Sequence, residues 1–166
     1  MKKHLIYRLL FLILFSVVFF ETHAQISGEV QITGEILKPY KITLADLKKM
    51  PRTEVSRKDR DSNEHKYSGV LLSYLLTEGG ATTGKNLRGN NLKKYVIVEA
   101  LDGYQVVFSL AELDAEFSEN KIILADTIDN LPLAAADGPF RIIVEHDKRP
   151  ARCIKQVIGI EVGVAK

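Results

Sequence analysis

The chain has 166 residues, of which 23 are Lys or Arg and 21 are Asp or Glu, with one cysteine and no tryptophan. A lone Cys153 excludes an intramolecular disulfide and a multi-cysteine zinc site, so the core must hold by packing alone. The near balance of charge, without a basic stripe, argues against nucleic acid as a partner.

The first 24 residues read as a secretory signal peptide. Lys2, Lys3 and Arg8 make a positive start, Leu9 to Phe20 is apolar except for Ser16, and Thr22-His23-Ala24 offers a cleavage site. The apolar run is short for a bilayer span. No cysteine follows it and no Arg-Arg pair precedes it, which argues against a lipid anchor and a twin-arginine signal. Cleavage after Ala24 predicts one domain over residues 25–166, without a stable membrane anchor and with a periplasmic or secreted address. Removing Lys2, Lys3, Arg8 and Glu21 leaves 20 charges of each sign, so the excess positive charge belongs to the leader.

Gly28 to Ile36 alternates apolar and polar residues, as a half-buried strand does. Thr43 and Asp46 have capping-box spacing for a short helix that Pro51 closes. Thr53 to Ser56 suits a brief strand. Arg57 to Lys66 is dense in charge and predicts a solvated loop. Val70 to Leu76 predicts a helix stopped by Gly79-Gly80, and Ala81 to Asn91 a surface loop. Tyr95 to Leu101 is nearly all apolar, as a central strand is. Asp102-Gly103 predicts a two-residue type I′ hairpin turn into Tyr104 to Phe108. Ser109 and Glu112 form a second capping box, predicting a helix to about Phe117. Ile122 to Ala125, Phe140 to Glu145 and Val157 to Val164 are further strands, with a turn at Asp129-Asn130. Short strands and short helices in no strict βαβ order predict an α+β fold around a mixed sheet.

Five segments carry a family resemblance: Ile42 to Pro51, Tyr67 to Leu76, Asp102 to Tyr104, Leu131 to Leu133, and Gly138 to Val144 with the basic loop and final strand behind it. In that order they resemble the oxidoreductase molybdopterin-binding domain, the catalytic fold of sulfite oxidases and their bacterial relatives. The resemblance covers nearly all of residues 25–166. It implies a molybdenum held by a cysteine thiolate after the strand that precedes the Tyr67 segment. Here that stretch is Val55-Ser56-Arg57-Lys58-Asp59, without cysteine, and neither Ser nor Arg supplies the soft thiolate such a site uses. Relatives also carry a glycine in the loop contacting the pterin, where this chain has His146-Asp147-Lys148-Arg149-Pro150-Ala151-Arg152. The leader fits unfolded export, which would deliver the chain without cofactor.

These departures predict that the fold is kept and the metal lost, leaving no metal site and no cofactor, with molybdopterin as the alternative. Arg57, Arg60 and His65 stand where the metal ligand is missing. Tyr104 is a pocket residue by resemblance. Lys148, Arg149 and Arg152 can grip an anion bidentately, or they belong to a solvated loop and pair with Asp147 and Glu145. His146 is an acid, base or ligand at neutral pH, or a plain surface histidine. Cys153 is a small buried hydrophobe, or pairs with another chain. Arg57, His65, Tyr104, His146, Lys148, Arg149 and Arg152 are therefore the candidate binding residues. The predicted function is a non-catalytic module whose cleft accepts a small anionic ligand or a protein partner. The alternative is a molybdopterin-dependent oxidoreductase of the sulfite oxidase type.

Overall fold

A computed structural model describes residues 28–59 and 61–166. The predicted signal peptide and Arg60 lie outside the described residues. The chain forms α+β architecture in two sheets that share one buried apolar cluster.

The first sheet has strand order β2-β1-β10-β5-β6. Strand β1 (Glu29–Gly34) buries Val30 and Ile32 and exposes Gln31 between them, as the period of two requires. Strand β2 (Tyr40–Thr43) pairs antiparallel with it, Val30 facing Ile42. The sequence does not predict this strand, which is four residues squeezed between Pro39 and helix α1 (Leu44–Leu47). The helix starts on the predicted box: Thr43 Oγ1 accepts from the Asp46 N–H, and Asp46 Oδ2 accepts from the Thr43 N–H, both at 3.2 Å. Strand β5 (Lys94–Ala100) lies between β6 (Gln105–Ser109) and β10 (Val157–Val164), both antiparallel to it. Strands β1 and β10 run parallel, Gln31 beside Gly159, which makes this sheet the mixed one.

The second sheet is antiparallel throughout. Strand β3 (Thr53–Lys58) pairs with β4 (Glu64–Leu71), and β4 with β7 (Ile122–Ile128). Strands β8 (Leu131–Pro132) and β9 (Arg141–Val144) share the other edge of β7. Helix α2 (Leu72–Glu78) follows β4 and buries Leu72, Leu75 and Leu76. Gly69 lies where β4 slips register against β7, with the two backbones in close approach.

Four local expectations need correction. The charged stretch from Arg57 to Lys66 is not a solvated loop. Its ends extend β3 and β4, with Arg57 opposite His65, and Arg57 is buried. The helix predicted from Val70 starts at Leu72, because Val70 and Leu71 continue β4 against Leu124 and Ile123. The Ser109–Glu112 box forms, yet it opens a single 3₁₀ turn, Ala111–Leu113. The β5–β6 turn has three residues, not two. Ala100 N–H donates to the Tyr104 carbonyl at 2.9 Å, and Gly103, at φ +83°, takes the left-handed position that follows a type I turn. The two positive φ values of a type I′ turn occur instead at Asp129 (49°) and Asn130 (64°), between β7 and β8.

Candidate functional site

A cavity of about 750 Å³ opens where four segments meet. The β3–β4 turn gives Asp59 and Asp61, and the β5–β6 turn gives Asp102 and Tyr104. Asp137 and Arg141 come from the approach to β9 and its first residue. The segment after the 3₁₀ turn Pro150–Arg152 gives Cys153 and Lys155.

Its inner wall is a buried polar network. Tyr67, without solvent exposure on β4, donates its phenol to Asp59 Oδ2. Burial, and then that bond, hold the Tyr67 phenol well above its ordinary pKa. Arg141 Nη1 donates to Tyr67 Oη at 2.9 Å and to Asp137 Oδ2 at 3.0 Å, and its guanidinium stacks 5.2 Å from the Tyr67 ring centre. Lys155 Nζ holds the other Asp137 oxygen at 2.5 Å. Arg57 Nη1 donates to the Val144 carbonyl at 2.6 Å, and its Nε faces Asp59 Oδ1 at 3.7 Å. Two arginines and two aspartates thus enter the interior as a paired set, the form in which buried charge is tolerated. Among the described residues three buried side-chain atoms of this network, Arg57 Nε, Asp59 Oδ1 and Arg141 Nε, make no hydrogen bond, and Arg141 Nη1 lies 3.7 Å from Asp59 Oδ2.

Of the seven candidate residues, Tyr104 lines the cavity, and its hydroxyl donates to the Ala151 carbonyl at 3.1 Å. Arg57 stands behind the wall in the network. His65 lies at the outer end of the hairpin, with Nδ1 2.7 Å from Asp129 and Nε2 2.9 Å from Asp61. Arg152 is spent on structure. It meets both oxygens of Asp147 at 2.8 and 2.7 Å and Glu112 at 2.7 Å, and stacks 4.8 Å over Phe108. That bond holds the Asp147 carboxyl below the usual carboxylate range. His146, Lys148 and Arg149 are exposed. His146 Nε2 approaches Glu145 at 3.6 Å. None of these last three lines the cavity.

Asp59, Asp61, Asp137, Arg141 and Lys155 line the cavity without having been among the candidates. Arg141 had a signal. It is a lone charge in the apolar run Phe140-Arg141-Ile142-Ile143-Val144, and such a charge is almost never buried unless paired.

The hydrogen bonds that His65 donates to Asp129 and Asp61 raise its pKa to about 9, and Asp61 falls to about 2. Since the folded pKa exceeds the ordinary 6.5, His65 contributes its full stabilisation below about pH 6.5. That contribution is lost as pH rises through about 9. An NMR titration of the imidazole should give a midpoint near 9, sliding back toward the ordinary value in the Asp129→Asn variant. A wild-type midpoint near 6.5 would show that the two carboxylates do not clamp this ring.

No family model matches the chain, and no curated protein matches it. Among solved structures it is similar to the sulfane dehydrogenase SoxCD from Paracoccus pantotrophus. The TM-score is 0.63 at 18% identity, over 81% of this chain and 37% of that one. The likeness shows the fold, which is the sulfite-oxidase-type molybdopterin-binding fold. The residues around the cavity do not fit a thiolate-held molybdenum with its pterin phosphate. Cys153 is packed inside, its sulfur accepts the Val144 N–H at 3.5 Å, and burial raises its pKa, which keeps it a thiol. Four lining carboxylates outnumber Arg141 and Lys155, both already paired to Asp137.

Proposed function

We propose that this chain is an exported, non-catalytic ligand-binding module, using the cleft of its fold for a small molecule with an anionic group. That group carries a single charge, which the lining carboxylates repel less than a phosphate, and it is taken at Arg141 and Lys155, since none of His146, Lys148, Arg149 and Arg152 lines the cavity. One observation carries this reading: the cavity of about 750 Å³, with Tyr104 from the β5–β6 turn and the cations Arg141 and Lys155 in its lining. The cavity also falls within the usual size range of small-molecule sites. The leader, with its positive start and short apolar run, supports export.

Thermal-shift titrations at constant ionic strength test the reading, using acetate, hexanoate, sulfate and phosphate. A saturable rise in Tm with at least one of them is expected, following the mass-action form for a ligand of the native state. No rise with any of them would overturn it. About one molybdenum per chain, by mass spectrometry of natively exported protein, would replace it with the oxidoreductase reading.

A further inference from the structure

Among the described residues the sheets end at β2 and β6 on one side of the fold, and at β3 and the β8–β9 side of β7 on the other. All but one of these edges carry the devices that keep a foreign strand away. Strand β2 has Lys41, whose Nζ holds Glu29 at 2.6 Å. Strand β3 has Glu54, Arg57 and Lys58. Strand β8 ends in Pro132, and in β9 the Ile142 N–H already donates to the Ile154 carbonyl at 2.8 Å. Strand β6 is Gln105-Val106-Val107-Phe108-Ser109, with neither charge nor proline.

The phase of the β5–β6 ladder fixes which backbone groups of β6 stay free. Ala100 N–H donates to the Tyr104 carbonyl at 2.9 Å, and Leu110 N–H to the Lys94 carbonyl at 3.0 Å. Bonded and unbonded pairs alternate along an antiparallel pair. Val106 and Phe108 therefore bond to Val98 and Val96, while Gln105, Val107 and Ser109 turn their N–H and C=O groups outward. Glu112 Oε2 takes the Ser109 N–H at 3.0 Å. Gln105 and Val107 find no partner for their backbone groups among the described residues, and Val107 is 54% exposed.

We infer that a second copy of this chain docks on this edge, β6 antiparallel to β6, about a two-fold axis at Val106. Gln105 of each copy lies opposite Val107 of the other. Each free N–H then meets a free carbonyl across the axis, and Ser109 keeps its Glu112 cap. A two-fold contact sets a strand against itself, so a charged residue in it would meet a like charge nearby. Strand β6 carries none. Its alternation also matches itself. Val106 and Phe108 stay on the core face and Gln105, Val107 and Ser109 on the open face in both copies, so core continues into core. A five-residue strand makes a small contact, of the class that associates weakly and reversibly.

Sedimentation velocity of the exported protein tests this. The mass should climb from one chain toward two between about 10 μM and about 1 mM, as a weak interface requires. Val107→Pro removes an outward N–H at a position where an edge strand tolerates proline. It should weaken the dimer about tenfold or more, since the symmetry deletes the bond twice. Val107→Lys, which brings two like charges to the axis, should do the same. Amide exchange of wild type decides the matter if neither variant folds. The Gln105 and Val107 amides should exchange about threefold or more slowly at about 1 mM than at about 10 μM, with the amides of β2 unchanged. A single-chain mass at about 1 mM overturns the inference and leaves the edge to a different protein or to none. Growth beyond two chains overturns it too, because a two-fold contact closes on itself. So does a dimer that both folded variants preserve, or exchange at Gln105 and Val107 that ignores concentration.

Discussion

Valine at Gly69 should leave little folded protein. Gly69 sits on β4 against Ala125 of β7, at the point where their pairing slips. A Cβ there would lie 2.2 Å from the Leu124 carbonyl oxygen and 2.6 Å from Ala125 Cα. Both are backbone atoms in the strand that also carries β8 and β9, so no side chain can rotate away. Relief requires parting β4 from β7, and the whole second sheet hangs on that pair. A glycine inside a strand marks such a close approach of backbones. Ordinary overpacking costs about 1–3 kcal/mol and sometimes more. Here the expected loss is about 4 kcal/mol or more, a large share of the roughly 5–15 kcal/mol that holds a domain together. Circular dichroism melts check it. A Tm within a few degrees of wild type would mean that the two backbones do not meet at this position.

Replacing Arg141 by methionine should cost about 3 kcal/mol, toward the lower end of what breaking a buried ion pair costs. Methionine fills similar space, so the loss reports charge and hydrogen bonding more than cavity formation. Tyr67 Oη loses its donor, and Asp137 loses one of its two cations. The loss stays at the low end because Lys155 still holds Asp137 and Arg57 still faces Asp59. The midpoint of urea unfolding should fall with the slope unchanged. A shift equivalent to less than about 1 kcal/mol would class Arg141 with exposed ion pairs, which contribute little.

Much of the fold was legible because its signals are local. Thr43 and Asp46 bond reciprocally across one turn, and the spacing that announces them is three residues. The strands at Tyr95, Phe140 and Val157 announce themselves by apolar content. The charged hairpin was not legible for the opposite reason. Composition marks Arg57 to Lys66 for water, yet period two puts Arg57 on the same face of β3 as buried Val55. Its partner is the Val144 carbonyl, 87 residues away, which no local pattern reveals. The same distinction governs the site. Resemblance pointed to the segments that meet at the cavity, and within them it named Tyr104. It did not distinguish a cation that lines the cavity from one committed away from it. Arg152 looks available in sequence, but Asp147 and Glu112 occupy it. Arg141 looks like one letter in an apolar strand, and it lines the cavity.

The place of β10 between β1 and β5 also sets a schedule. A ribosome makes β1 near the start and β10 only after every other strand, yet β10 is the bridge that joins β1 and β2 to β5 and β6. Until Val157 to Val164 emerge, the first sheet exists as two separate hairpins, each with an open edge. A lone hairpin is marginal in water, and joining them closes a loop almost as long as the domain, the kind of contact that forms slowly. The order of synthesis therefore cannot serve as the order of assembly. A growing chain has to wait, exposed, until its last strand arrives, and the sheet then closes in one late event.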